Sequence, residues 1–496
     1  KVRDLRKAGL GLLANIPGDK KAVACIEDTA VALDDLAEYI EEVGSMMESF
    51  DQKQVIYAHA GAGELHLRPI LNLKKSKDVE DFYHISKASA EIVKKYEGSL
   101  SGEHGDGRLR GAFIPMMVGN ENYELFKRIK SIWDPKGIFN PNKIVNTPVM
   151  NTMLRYEPDK IVNEIESVFD FSGKGGILRA AEKCNGSGDC RKLPLSGGTM
   201  CPSYQATRNE KDTTRARANT LREFLTKSDQ QNPFDHKEIM EVMDLCLSCK
   251  ACTSECPSNV DMSTLKAEFL HHYYKINGVP FRARAFAYIN EFNKLGGILP
   301  GVYNFFLTNP MLSAIAKKLL GIASKRSIPI IHKFSLRKWY QKNYKCKDAD
   351  NGSVYLFCDE FTNWNDTEIG IKSIQLLQAL KYDVKLIKHS ESGRAAISKG
   401  LLLRARKMAN SNVRIFKDLI PKFTISSKCF FNISPFSPIS STHSSIFSPS
   451  ISMIVACVAW ARLCCLRGAT SESRDVTILT VGTPSVPAHG RASCFD

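Results

Sequence analysis

Apolar residues recur at helical spacing through Thr29–Met47, at Val31, Leu33, Leu36, Ile40, Val43 and Met47, with acidic residues between them. That stretch predicts an amphipathic helix, and Val79–Tyr96 repeats the pattern. Between them Val55–Ala60 and Glu64–Ile70 predict two strands around a Gly-Ala-Gly turn. Trp133–Val145 is a closing segment punctuated by Pro and Asn. Arg215–Thr226, Phe234–Leu245 and Met262–Lys275 predict three more helices, and the apolar spacing of Met311–Ile331 is compatible with a fourth. The pattern then alternates: Val354–Phe357 strand, Ile369–Leu380 helix, Asp383–Ile387 strand, Lys399–Leu419 helix. After Pro421, Ser, Pro, Phe and Cys crowd together without periodicity, and the apolar patch Ile451–Ala461 is too short to span a membrane. Residues 421–496 are expected to be a disordered or non-native tail, and their cysteines receive no role. The chain opens on Lys1 in what reads as the middle of a helix.

The pattern implies an α+β multidomain chain, and 496 residues suit about three domains. The expected divisions are an α+β domain over 1–150, a connector over 151–180 and an all-α cysteine module over 181–275. A basic amphipathic connector over 276–350, a partial α/β region over 351–420 and the tail complete the order. The net charge of +15 is uneven: Lys294 to Lys347 holds eleven Lys or Arg residues and no Asp or Glu. Lys317, Lys318, Lys325 and Arg326 lie in the Met311–Ile331 stretch, which suits the surface of an anionic membrane, a solvated face or a subunit contact. No nucleic-acid reader motif accompanies the charge, so that partner is not expected. No signal-peptide pattern opens the chain, no apolar run is long enough to span, and the clustered cysteines suit a reducing, cytoplasmic setting.

Seven of the fifteen cysteines form one constellation. Cys184, Cys190 and Cys201, the last followed by proline, precede Cys246, Cys249, Cys252 and Cys256, the last again followed by proline. Cys-x-x-Cys-x-x-Cys-x-x-x-Cys-Pro is the spacing that holds [4Fe–4S] clusters in two-cluster ferredoxins, where the cysteine before proline ligates the other cluster. A structural zinc site needs four ligands and leaves the second Cys-Pro unexplained. The cross-ligation rule puts Cys246, Cys249, Cys252 and Cys201 on one cluster and Cys184, Cys190 and Cys256 on the other. The second is a thiolate short, so a [3Fe–4S] centre and a cubane with a non-cysteine ligand both stay open.

A second constellation is His59-Ala-Gly-Ala-Gly-Glu-Leu-His66. A two-residue turn at Ala62-Gly63 sets His59 directly opposite His66, with Cβ atoms about 4.5–5.5 Å apart, a spacing for two imidazoles sharing a divalent ion. Ser101-Gly-Glu103-His104-Gly-Asp106-Gly107-Arg108 adds a carboxylate, an imidazole and a guanidinium on a glycine-rich loop. Two His and one carboxylate leave coordination positions open for zinc, manganese or iron, with Glu103 as third ligand and His104 as a base. A flexible polar turn is the plain alternative.

These motifs, with Phe139-Asn140-Pro141-Asn142-Lys143, resemble the C-terminal domain of FAD-linked oxidases, the D-lactate dehydrogenase, D-2-hydroxyglutarate dehydrogenase and glycolate oxidase group. Residues 180–420 resemble the iron–sulfur subunit of glycolate oxidase. The resemblance implies a divalent metal on His59, His66 and Glu103, His104 as proton acceptor, and Arg108, Lys143 and Asn140 as carboxylate or flavin contacts. It implies oxidation of a D-2-hydroxy acid by FAD, with electrons passing through two clusters to a quinone or another carrier. Arg68 beside His66, and Arg108, are candidates for a second substrate carboxylate, which leaves lactate and a dicarboxylate both open. An FAD-binding domain is expected before Lys1, which leaves a relay module serving a separate flavoprotein, or an inactive fragment, as alternatives. The Cys-Cys-Gly motif of such iron–sulfur subunits reads Glu391-Ser392-Gly393-Arg394, so no cysteine chemistry is expected there.

Overall fold

A computed structural model of the chain describes residues 9, 13, 15–162, 164–346, 349–417 and 479–480. The expected opening helix at Lys1 and almost all of the tail after Pro421 lie outside the described residues. The chain divides into two compact units. Unit 1 comprises Lys1–Glu164, Lys183–Ser187 and Cys256–Asn259, and unit 2 comprises Ile165–Glu182, Gly188–Glu255 and Val260–Asp496.

Unit 1 is built on an antiparallel sheet of β1 (Lys21–Ala22), β2 (Ile26–Ala30), β3 (Gln54–His59) and β4 (Glu64–Leu71). β4 is the centre: β3 pairs along one edge, while β1 and β2 pair with its C-terminal and N-terminal parts. Helices α1 (Leu36–Ser49) and α2 (Ser76–Lys95) close the core, α3 (Asn120–Trp133) following. Alternation along β4 sends Leu65 and Leu67 into the core with Tyr39, Val43, Met47, Phe82 and Ile85. Glu64, His66 and Arg68 take the other face, yet all three are buried. A polar face shut away from water requires partners, so this is where chemistry is to be sought.

The helix expected from Thr29 begins at Leu36, because Ile26–Ala30 is β2 and a 3-10 turn occupies Leu33–Asp35. A five-residue strand is too short for its period to compete with the helical pattern beside it. The turn between β3 and β4 is also longer than two residues. It runs through a 3-10 turn at Ala60–Ala62 and Gly63 at φ 69°, where a Cβ would collide with the Val31 carbonyl. His59 therefore pairs with Glu64, and His66 with Tyr57. The shift of two residues preserves the face, so His59 and His66 remain diagonal neighbours.

Unit 2 is mainly helical. Its cysteine loops are flanked by α4 (Thr214–Lys227), α5 (Lys237–Asp244) and α6 (Met262–Asn277). The basic stretch folds as short helices, among them α7 (Pro300–Thr308) and α8 (Pro310–Leu320). The helix expected across Met311–Ile331 stops at Gly321, whose left-handed φ of 61° caps it. A small parallel sheet follows: β5 (Ser353–Phe357) pairs with β6 (Asp383–Lys385) and, against the expectation of a disordered tail, with the two-residue β7 (Leu479–Thr480); α9 (Thr367–Ala379) crosses between β5 and β6, and α10 (Leu402–Lys417) follows them. Leu336, Leu356, Ile371, Ile374 and Val384 form its core. Among the described residues no helix is long and apolar enough to cross a membrane.

Candidate functional site

The polar face of β3 and β4 gathers Tyr57, His59, Glu64, His66 and Arg68, since residues two apart share a face. The loop after α2 then brings Glu103 and His104 to them. Glu103 Oε1 lies 3.3 Å from His59 Nε2, 3.4 Å from His104 Nε2 and 3.9 Å from His66 Nε2. One carboxylate oxygen thus sits within 4 Å of three imidazole nitrogens. The fourth donor is Glu64, whose Oε1 is 3.4 Å from His66 Nε2. His59, Glu64, His66 and Glu103 each offer an atom within 4.8 Å of the others. His104 also reaches back, its Nδ1 3.4 Å from Glu27 Oε1.

Electrostatics match a cation. Burial holds the His66 imidazole below its usual pKa, in the neutral form that ligates metals. Burial, with Asp28 and Glu103 close by, holds the Glu64 carboxyl above the usual range. Among the described residues Glu64 Oε1 is buried without a hydrogen-bond partner, an acceptor that a bound cation would satisfy. The donor set of imidazoles and carboxylates fits zinc, manganese or iron alike.

The glycine-rich loop is held by a residue that the sequence does not advertise. Asp28 sits at a register shift in β2, fully buried, with φ 77°. Its carboxylate accepts Ser101 Oγ at 2.6 Å and the backbone N–H groups of Glu103 and His104 at 2.8 and 2.9 Å. Burial opposes its charge, but these donors hold the carboxyl well below the usual range. Arg110 completes the clamp, donating to the Glu27 carbonyl, to the Gly105 carbonyl at 2.8 Å and to Asp28 at 3.4 Å. Glu103 and His104 are therefore aimed by their own amides, gripped from the sheet.

The remaining candidates of this unit stand elsewhere. Arg108 donates to the Thr152 carbonyl at 3.1 Å. Asn140 and Lys143 line a groove of about 420 Å³ with Phe126, Ile129 and Trp133 of α3. Arg68 is ion-paired with Glu27, which also accepts Tyr57 Oη at 3.2 Å. Arg68 thus lies on the same face as His66, with Glu27 as its partner. Glu27, Asp28, Glu64 and Arg110 were missed. Only Glu64, in phase with His66 on β4, carried a periodic signal; the other three matter through a bulge and a loop contact.

In unit 2 the sulfurs meet a helix N-terminus. Cys201 Sγ accepts the Thr214 N–H at 3.1 Å and lies 2.9 Å from Thr214 Oγ1, while Cys190 Sγ accepts the Arg215 N–H at 3.4 Å. The hydrogen bond from Cys201, with the Arg215 N–H and the Thr213 hydroxyl, holds the Cys190 thiol below its ordinary range. An anionic group is welcome there, at the start of α4. Cys252 is buried, its thiol pushed up to about 11 by burial, with the charges of Asp261, Cys246 and Cys249 adding to the rise. Lys266 Nζ donates to the Cys246 carbonyl at 2.7 Å. In unit 1, Arg155 fixes the Cys184 carbonyl at 2.7 Å, and Cys256 opens the segment Cys256–Asn259.

Comparison with known proteins accounts for both motif groups. Residues 1–144 match the family model described as FAD linked oxidases, C-terminal domain, and residues 183–261 match that of the 4Fe-4S dicluster domain. Each of the two domains thus has its own family likeness within the one chain. It is 27% identical to a D-2-hydroxyglutarate dehydrogenase of Escherichia coli over 456 residues, covering 82% of the chain and 44% of that relative. A protein of the same name from Pantoea ananatis is 27% identical, with 83% and 44% covered. The oxidase part alone resembles the D-lactate dehydrogenase of Archaeoglobus fulgidus, 30% identical over 26% of the chain and 28% of that protein. The chain thus spans less than half the length of the dehydrogenases it matches across both domains.

Beyond the dicluster domain, the α/β region closes on its own contacts. His389 Nε2 accepts the Cys358 N–H and a guanidinium N–H of Arg337, each at 3.0 Å, leaving Nδ1 to donate to the Ser390 carbonyl at 2.6 Å. Glu360 accepts the N–H and Oγ–H of Ser392 at 2.9 and 2.8 Å, and Arg394 lies 2.9 Å from Asp359. Burial pushes the Cys358 thiol up to about 12, which makes it inert. The Glu391–Arg394 segment is thus a structural loop in this chain.

Proposed function

We propose that this chain is part of an iron–sulfur flavoprotein that oxidises a D-2-hydroxy acid to the 2-oxo acid. What carries the reading is the convergence of three imidazoles on the single oxygen Glu103 Oε1. His59, His66 and Glu103 would hold a divalent cation, with Glu64 completing the set. The cation would supply Lewis acidity toward the substrate hydroxyl and carboxylate, and FAD a two-electron acceptor that single-electron clusters can empty. His104 takes the hydroxyl proton; Glu27, 3.4 Å from its Nδ1, orients the ring and stabilises the imidazolium. Arg108, Asn140 and Lys143 are proposed carboxylate and flavin contacts, on the resemblance alone. Cys184, Cys190, Cys201, Cys246, Cys249, Cys252 and Cys256 are the proposed iron ligands.

The relatives' names make D-2-hydroxyglutarate the first substrate to try, with D-lactate and glycolate beside it. The proposed acceptor is a quinone or another electron carrier. Val302, Phe305, Phe306, Met311, Ile315 and Leu319 are exposed on α7 and α8 amid the basic stretch, which supports a peripheral membrane contact for quinone reduction. The test is turnover of the three acids by the flavin-loaded protein with an artificial acceptor. His104→Ala is expected to lower kcat about 10²–10⁴-fold with metal content unchanged; full activity in that variant defeats the assignment of the base.

A further inference from the structure

The two cysteine loops repeat one another, and the repeat puts a name to the missing ligand. Cys246-Leu-Ser-Cys249-Lys-Ala-Cys252 spaces its thiols by three residues. Cys184-Asn-Gly-Ser187-Gly-Asp-Cys190 keeps the same spacing with a serine in the middle. The backbones agree as well. Cys249 is flanked by two left-handed residues, Ser248 at φ 54° and Lys250 at φ 63°. Ser187 is flanked by Gly186 at φ 81° and Gly188 at φ 82°. Cys252 is the second residue of the short helix Ala251–Glu255, and Cys190 the second residue of the 3-10 turn Asp189–Arg191. Ser187 is exposed, as Cys249 is, while the cysteine three residues on is buried in both loops.

Non-glycine residues rarely enter the left-handed region, so two of them around Cys249 mark a conformation the loop must hold. The glycines of the first loop reach that conformation without steric cost. Local spacing, winding and exposure therefore coincide at 187 and 249, and the chemistry differs by one atom, oxygen for sulfur. We propose that Ser187 Oγ is the non-cysteine ligand of the second cluster, the oxygen counterpart of Cys249 in the first. Its hydroxyl proton leaves to solvent as the alkoxide binds iron, and no electron changes hands. With that fourth ligand the cluster would be a four-iron cubane carrying one hard oxygen ligand. This assignment rests on the dicluster reading and names the ligand that reading lacks.

The test is iron and sulfide content, with EPR of the oxidised and reduced states, on the anaerobically purified full chain, wild type against Ser187→Ala and Ser187→Cys. The wild type is expected to hold about eight irons. Ser187→Ala should drop to about seven and gain the EPR signal of an oxidised three-iron centre. Ser187→Cys should keep about eight, with the reduced spectrum of one cluster altered and its midpoint potential raised. Seven irons and a three-iron signal in the wild type, unchanged by Ser187→Ala, overturn the ligand role while leaving two clusters in place. A chain with no acid-labile sulfide overturns the dicluster reading itself, and the sulfide assay tells the two failures apart. Because Ser187 is exposed, neither substitution disturbs a packed core.

Discussion

The histidine–carboxylate site of unit 1 and the cysteine loops on α4 and α6 are specified in opposite ways. The first collects donors from β2, β3, β4 and a loop, and its aim depends on Asp28, which offers no ligand itself. The second is written in short local spacing, with positive-φ residues shaping each turn. A site assembled from distant segments fails when its support fails. A site coded by local spacing fails only when a ligand is lost.

That contrast can be broken experimentally. Asp28→Ala leaves Ser101 Oγ and two part-buried backbone N–H groups without their acceptor, at most about 1–3 kcal/mol for each group orphaned. Divalent-metal binding should be lost in isothermal titration, while iron and sulfide stay at wild-type levels. Cys252→Ala should do the converse, lowering iron and sulfide content and leaving affinity for the divalent metal intact. If either substitution empties both sites, the two are not independently specified.

Smaller effects sharpen the picture. His389 tests the α/β region, which has neither motif. Burial and the facing Arg337 guanidinium bring its pKa to about 4, against an unfolded value of about 6.5. Between these values the unfolded chain binds the extra proton, so stability is complete above pH about 6.5 and declines as pH falls toward 4. The loss is at most about 3 kcal/mol, and His389→Gln should flatten this part of a denaturant-midpoint profile against pH. Smallest, Glu64→Gln should weaken the divalent metal about 10–100-fold, measured by competition with a chelator. An unchanged affinity would remove Glu64 from the ligand set.

Much of this was legible in the linear chain. The strands carrying His59 and His66 were placed to within about a residue, because alternation is local. Their register was not, because it depended on how Gly63 packs beneath the Val31 carbonyl. Helices α4, α6 and α9 followed their periodicity closely. α3 went unread because its exposed Leu125, Ile129, Ile132 and Trp133 make an apolar stripe with no buried counterpart.

By itself the sequence determined which atoms can act: seven thiols at cluster spacing, two histidines around a glycine turn, and Glu103-His104 on a glycine loop. Those choices rest on covalent spacing and side-chain chemistry, which exist before folding. Only the tertiary structure decided that Glu64 joins them, that Arg68 pairs with Glu27, and that Asp28 and Arg110 aim the loop. Each of those depends on burial, where an unpaired charge or amide is costly. Only the fold says which groups lose access to water.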